Sequence, residues 1–197
     1  LTTFVVLMGL KISSKEADEK HPYGHEKYEP VFAKLLSILL GATGLYIGYE
    51  GIKVLRSGDI QIPGRVALIA AIISIATKEV MYRYTIKVAR KIKSLSMEAD
   101  AWHHRSDALS SVGTFVGILG ARLGLKILDP IAAIIVSVFI IKVGIDLYIE
   151  SVRGLVDEAA DGETISKIEE LTYSIEDVKG IRDLKTRIFG NKIYVDI

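Results

Sequence analysis

The chain has 197 residues, half of them hydrophobic, and a formal net charge of +1 at pH 7. So small a net charge gives no reason to expect a nucleic-acid partner. The sequence contains no cysteine, which excludes disulfides and thiolate metal sites. A mean hydropathy of +0.34 favours a membrane protein, although a soluble chain of this length could also bury a sizeable core.

Five hydrophobic stretches follow one another along the chain. The first covers residues 1–12 and predicts the last part of a helix that begins before Leu1. The four longer stretches could each cross a hydrocarbon core of roughly 30 Å, at about 1.5 Å per residue. Their bounds are 30–55, 63–90, 97–125 and 129–156.

Charged residues interrupt these longer stretches, and their placement separates two classes of protein. A soluble helical bundle would carry them on a solvent-facing stripe, whereas membrane helices would place them near the interfaces or toward a shared polar interior. Long uncharged runs between them favour the membrane, and these cover residues 35–49, 66–77, 108–120 and 131–141. On this interpretation we expect Lys78 and Glu79 to lie at a membrane interface, with an internal pair between them as the alternative.

Lysine and arginine in the loops predict the orientation of the helices. They are more frequent in the first and third loops than in the second and fourth, which places the first and third loops and the C-terminal tail in the cytoplasm. The residues are Lys11, Lys15, Lys20, Lys27, Arg83, Lys87, Arg90, Lys91 and Lys93, against Lys53, Arg56, Arg65, Arg122 and Lys126.

The tail changes character at Asp157. Residues 161–174 have the apolar spacing of an amphipathic helix, and residues 181–189 alternate as a strand does. Gly190-Asn191 is typical of a hairpin turn, and residues 192–197 begin a second strand. One helix and two strands cannot close a core, so this region is interpreted as the first part of a small α+β domain.

A cluster of ionisable residues lies inside the third of the longer apolar stretches. On a helix, His103 and Asp107 are one turn apart, and Asp100 shares their face. An imidazole and a carboxylate so placed can bind one divalent cation from the same side, which predicts a metal site inside the membrane. We expect His104 to serve packing or a polar contact.

A second cluster lies in the first loop. Asp18, His21 and His25 form a three-ligand pattern, and imidazole with carboxylate suits zinc, iron(II) or manganese(II). The alternative is a solvated loop that leads into a helix, because Pro22-Tyr23-Gly24 is ordinary turn chemistry.

The run His21-Pro22-Tyr23-Gly24-His25-Glu26-Lys27-Tyr28-Glu29, the His103-x-x-x-Asp107 pair and the α+β tail together resemble the cation diffusion facilitators. These are homodimeric transporters that export zinc and related divalent cations, usually in exchange for protons. The resemblance covers the whole chain and implies a mostly α fold. Residues 1–156 would be the end of the second membrane helix and helices three to six, and residues 157–197 an incomplete cytoplasmic ferredoxin-like domain.

The resemblance also implies roles for single residues. His103 and Asp107 match the fifth-helix half of the transport site, whose other half would lie on the second helix before Leu1. A histidine in this pair resembles the zinc and zinc/iron branches of the family, since manganese branches usually carry aspartate there. Zinc is therefore the expected substrate, with iron, manganese and cadmium as alternatives.

Five further residues match other features of the family. Asp18, His21 and His25 match a metal site in the cytoplasmic loop, where zinc would act as a structural ligand. Lys27 and Asp157 match a charge pair that holds the membrane bundles together near the cytoplasmic face.

The expected protein is a proton-coupled exporter that works by alternating access, without an organic cofactor. It would be a homodimer in a prokaryotic cytoplasmic membrane, with its C-terminal domain in the cytoplasm. Two alternatives stay open. One is a membrane metal sensor or buffer that uses the Asp18–His25 cluster, and the other is a membrane-embedded metal hydrolase that uses His103 and Asp107.

Overall fold

The computed structural model describes residues 2–58, 65–125, 127–190 and 192–197. Leu1, Lys126 and Asn191, to which the sequence predictions refer, lie outside the described residues. The elements in chain order are α1 (Thr2–Ser13), α2 (Tyr28–Ser57), α3 (Arg65–Ile92), α4 (Leu95–Arg122), α5 (Leu128–Arg153), α6 (Gly162–Tyr173), β1 (Lys185–Phe189) and β2 (Lys192–Asp196). The predicted mostly helical fold is confirmed.

Four long helices dominate the molecule. Two of them, α2 and α5, are long and apolar enough to cross a membrane by composition alone. Helices α3 and α4 have 28 residues each, which corresponds to about 42 Å, but they carry more charge along their length. The sequence had predicted four crossing segments, so the charges on α3 and α4 need partners if these helices lie in hydrocarbon.

Helices α2 and α5 pack through small residues. A Cβ built on Gly144 would lie 3.0 Å from the Gly41 backbone nitrogen and 3.2 Å from the Ser37 carbonyl oxygen. A Cβ on Gly48 would lie 2.8 Å from the Ser137 hydroxyl oxygen. The two backbones therefore approach more closely than larger side chains would permit, as is common between membrane helices.

Apolar side chains fill the space where α1, α2, α4 and α5 meet. The fully buried cluster consists of Val6, Leu36, Leu40, Ala99, Ile140 and Leu147. The outward faces are apolar as well, since Leu45, Tyr46, Ile73 and Ile135 are each more than three-fifths exposed. Large exposed apolar surfaces of this kind suit contact with lipid tails.

The C-terminal region consists of α6 and a hairpin. Helix α6 begins at Gly162, after Asp161 accepts a hydrogen bond from the Thr164 amide (2.9 Å). The strands are antiparallel, with Lys185 opposite Asp196. The predicted strand over 181–189 is too long, because residues before Lys185 lie beyond the paired part of the hairpin.

The close approach of α2 and α5 at Gly144 generates a stability prediction. Gly144→Val should lower the free energy of unfolding by about 1–3 kcal/mol, because its Cβ would meet backbone atoms that cannot move independently. Gly41→Val is the matched control, since a Cβ there has nothing within 4 Å. Thermal unfolding of the detergent-solubilised variants checks this, and equal destabilisation of both would contradict it.

Candidate metal centres

The loop between α1 and α2 brings three potential metal ligands together. The donor atoms of Asp18, His21 and His25 all lie within 4.8 Å of one another. The His21 Nδ1 atom is 3.1 Å from Asp18 Oδ1, and the His25 Nε2 atom is 3.5 Å from Asp18 Oδ2. Among the residues that the structure describes, this is the one group of three such donors.

Backbone amides hold the Asp18 carboxylate in place. Its Oδ1 atom accepts hydrogen bonds from the amides of Lys20 (2.9 Å) and His21 (2.7 Å). The hydrogen bond from the His21 amide is the main reason why the pKa of Asp18 lies below its usual value. The carboxylate is therefore ionised at neutral pH, as a metal ligand must be.

A carbonyl group orients the imidazole of His25. Its Nδ1 atom is 3.1 Å from the Glu16 carbonyl oxygen, which can only accept, so Nδ1 carries the proton and Nε2 has the free lone pair. His25 is only 7% exposed, so the ring has little freedom to turn away. This type of contact commonly fixes the tautomer of a metal-binding histidine.

The spacing of the three donors can accommodate a zinc ion. Zinc–nitrogen and zinc–oxygen bonds of about 2.0–2.1 Å place neighbouring donors roughly 3.3 Å apart in a tetrahedron. Separations of 3.1–3.5 Å for two pairs are close to this value. The shorter one is a hydrogen bond between His21 Nδ1 and Asp18 Oδ1, whose proton would have to leave when a metal binds there. Three protein ligands would leave one position for water or a further ligand.

The same loop is attached to the cytoplasmic hairpin. Glu26 forms an ion pair with Lys192 of β2, and the Tyr194 hydroxyl donates to the Tyr23 carbonyl oxygen (3.4 Å). Movement of the hairpin would therefore move the residues that flank His25.

Lys27 and Asp157 connect the start of α2 with the segment after α5. The Lys27 Nζ atom is 2.8 Å from Asp157 Oδ1 and also donates to the Leu155 carbonyl oxygen (3.4 Å). The hydrogen bond from Lys27 is the main reason why the pKa of Asp157 is lowered. Asp157 has a φ of +56°, a conformation that aspartate and asparagine tolerate better than most residues.

His103 and Asp107 lie near the middle of α4 but do not form a three-donor group within the described part of the chain. The Asp107 Oδ2 atom instead lies 3.0 Å from the Lys78 Nζ atom of α3. One turn further along, the hydroxyl oxygens of Ser74 and Ser111 are 3.0 Å apart. A polar seam thus runs between α3 and α4 beside the predicted ligands.

Asp100 and His104 form a separate, buried pair on α4. The His104 Nε2 atom is 3.6 Å from Asp100 Oδ2, which also accepts a hydrogen bond from the Thr3 hydroxyl (3.3 Å). Asp100 is 3% and His104 6% exposed. The polar contact expected for His104 is therefore made with Asp100. Asp100 contacts α1 through Thr3, whereas Asp107 contacts α3 through Lys78.

Sequence reasoning missed the contact between Lys78 and Asp107. The placement of Lys78 and Glu79 at a membrane interface stays a prediction. Lys78 lies near the middle of α3. Glu79 pairs with Arg83 (2.8 Å) on the same helix and lies 3.8 Å from Arg105 of α4. The available signal was a lysine directly after the uncharged run of residues 66–77, where a partner on a neighbouring helix is expected.

Comparison with known proteins identifies the family. Residues 1–156 match the model of the cation efflux transmembrane domain, and residues 160–197 match that of the cation efflux protein cytoplasmic domain. The chain therefore belongs to the cation efflux family, and the predicted resemblance to the cation diffusion facilitators is confirmed. Residues 1–156 are part of an integral membrane domain, and the following domain is cytoplasmic.

Several curated relatives match over the full chain. They include the magnetosome protein MamB of Magnetospira sp. (34% identity, 67% of the relative covered), an uncharacterized transporter of Methanocaldococcus jannaschii (36%, 70%) and the manganese efflux system protein MneS of Bacillus subtilis (32%, 68%), each aligned over 100% of this chain. Members of the family are transporters rather than enzymes, which removes the hydrolase interpretation.

The geometry of the loop predicts a metal-binding phenotype. His21→Ala combined with His25→Ala should reduce zinc binding of the purified protein by about one ion per chain, because two of three donors are lost. We expect transport to be reduced but not abolished. Equilibrium dialysis with zinc measures the occupancy, and an unchanged zinc content would contradict the site.

The ion pair at Asp157 predicts a small, pH-dependent effect on stability. Because the pKa of Asp157 is lowered in the folded protein, the pair stabilises it above the unfolded pKa of about 3.9 and loses this effect as the pH falls through the folded pKa. Asp157→Asn keeps a residue suited to positive φ and removes the charge. At pH 7 its Tm should be lower by at most about 3 °C.

A melting series checks this prediction. The difference in Tm between Asp157→Asn and the parent protein should be present at pH 7 and shrink below the unfolded pKa. Asp183→Asn is a suitable control, because the ion pair that Asp183 forms among the described residues is with Lys185, two residues away in the same exposed segment. A difference that persists unchanged in acid would show that Asp157 acts through something other than its charge.

Proposed function

We propose that this protein exports divalent metal cations from the cytoplasm in exchange for protons, with zinc as the principal substrate. The observation that carries this proposal is an imidazole and a carboxylate, His103 and Asp107, one turn apart near the middle of a helix of the cation efflux transmembrane domain. Ionisable residues at this depth are costly and mark ion pathways in membrane proteins.

In this mechanism a cation from the cytoplasm binds His103 and Asp107, with further donors expected from the preceding helix of the family. The imidazole and the carboxylate must both be deprotonated to bind well, so metal and protons compete for the same atoms. Protons that arrive from outside would neutralise Asp107, charge His103 and release the metal. Alternating exposure of the site to the two sides of the membrane then completes the cycle.

Zinc is preferred because of the donor set. Imidazole with carboxylate is a common zinc environment, and a histidine in this pair fits the zinc and zinc/iron branches. Manganese, iron(II) and cadmium are the alternatives, and one relative is named for manganese efflux. Relative flux of these metals decides between them.

The assembly and location follow from the same family. The cytoplasmic model that matches residues 160–197 is named for a dimer, which supports a homodimer. Bacterial and archaeal relatives that align over the whole chain support a prokaryotic cytoplasmic membrane.

The loop between α1 and α2 favours a second function. Asp18, His21 and His25 form the more complete cluster of donors, so a membrane protein that senses or buffers metal without moving it would also use this geometry. Flux measurements separate the two functions, because only a transporter moves metal across the membrane.

The test is zinc flux into proteoliposomes that contain the complete protein, with an imposed pH gradient. The parent protein should show zinc uptake that depends on the gradient, and Asp107→Ala should lose at least about 90% of it, because one of the four donors disappears. Manganese, iron(II) and cadmium in parallel assays would rank the substrates, with zinc expected to be fastest.

Asp146→Ala is the matched control, since it removes an exposed carboxylate from another membrane helix, α5. Its flux should stay close to that of the parent. Zinc binding without flux in the parent protein would instead support the sensor or buffer, and full flux in Asp107→Ala would refute the role of Asp107.

A further inference from the structure

Lys78 lies near the middle of α3, fourteen residues before Ile92, which corresponds to about 21 Å along the helix. A lysine within a transmembrane domain is costly unless it has a partner or borders a polar cavity. A partner for its charge is therefore expected within the bundle.

Asp107 supplies that stabilisation. The Lys78 Nζ atom donates to Asp107 Oδ2 at 3.0 Å, and the other nearby carboxylate on α3, Glu79, is engaged by Arg83 and Arg105. The side chains of Lys78 and Asp107 are 32% and 34% exposed, so the pair is not sealed in the core.

We propose that Lys78 is a tethered cation that competes with the transported metal for the carboxylate of Asp107. When no metal is bound to His103 and Asp107, the ammonium group of Lys78 neutralises the carboxylate of Asp107. A divalent cation that binds there displaces the ammonium group. The metal ion and the ammonium group would otherwise repel each other strongly at the same carboxylate, because the dielectric constant around it is low.

This role, which depends on the proposed function, has two opposite effects on transport. Competition weakens metal binding, since the carboxylate must first leave its partner. The same competition favours release, because the ammonium takes back the carboxylate as the metal departs. A transported ion must bind well enough to enter and weakly enough to leave. Lys78 is thus a positioning residue that acts through Asp107.

The test is Lys78→Met, which keeps an unbranched side chain and removes the charge. In zinc flux assays with the complete protein in proteoliposomes, we expect KM to fall by about tenfold, since one neighbouring charge changes ionic equilibria by at least this factor. Vmax should fall too, because release loses its competitor. Equilibrium zinc binding should tighten in parallel, measured with His21→Ala and His25→Ala in the background to remove the loop site.

Three further variants serve as controls for this test. Lys78→Arg retains a cation and should keep KM within about threefold of the parent value. Lys87→Met removes an exposed lysine from the same helix, for which no ion pair is seen among the described residues, and should leave KM unchanged. In an Asp107→Asn background, Lys78→Met should no longer tighten binding of zinc, because the carboxylate on which it acts is absent.

The outcomes separate this proposal from the one on which it depends. A transporting parent protein in which Lys78→Met leaves KM and zinc affinity unchanged, or raises KM together with a loss of thermal stability, overturns the role of Lys78 alone. Tightening by Lys78→Met that persists in the Asp107→Asn background also overturns it. Absence of zinc flux in the parent protein refutes the proposed function itself.

Discussion

A charge in the middle of a membrane helix requires a partner, and this requirement determines how α3 and α4 are arranged. The short connection between Ile92 and Leu95 makes the helices antiparallel, so residues at similar distances from it lie side by side. Lys78 is fourteen residues before Ile92, and Asp107 is twelve after Leu95. The short connection brings the two residues to a similar height, and the ion pair at 3.0 Å joins them across the two helices.

Helices α2 and α5 are held together by a different interaction. Helix pairs in a bilayer gain little from the hydrophobic effect, because lipid tails are as apolar as leucine, and close packing must hold them together. Gly144 of α5 packs on the backbone of Gly41 of α2. Because α4 also packs against α5, the pair of helices α2 and α5 supports the helix that carries His103 and Asp107. The interface between α3 and α4 can then be polar, although close packing holds the rest of the bundle together.

The donors of the loop cluster could be predicted from the sequence because they have a local cause. Asp18, His21 and His25 lie within eight residues of one another, and a turn made by backbone amides suffices to assemble them. Lys78 and Asp107 are 29 positions apart, so their contact depends on the rotation and register of two helices, which a hydropathy pattern does not encode. Alternation likewise predicted a strand from residue 181, but the hairpin register ends at Lys185.

The two candidate metal centres differ in what their donors contact. The described partners of Asp18 are backbone amides and the two imidazoles, and His25 is fixed by the Glu16 carbonyl oxygen, so nothing cationic beyond the imidazoles has to leave before a metal binds. Asp107 is engaged by an ammonium group instead. Prearranged donors favour retention of an ion, whereas a competed donor favours exchange. This contrast supports the proposal that the loop site retains its metal and that the membrane site releases it in every transport cycle.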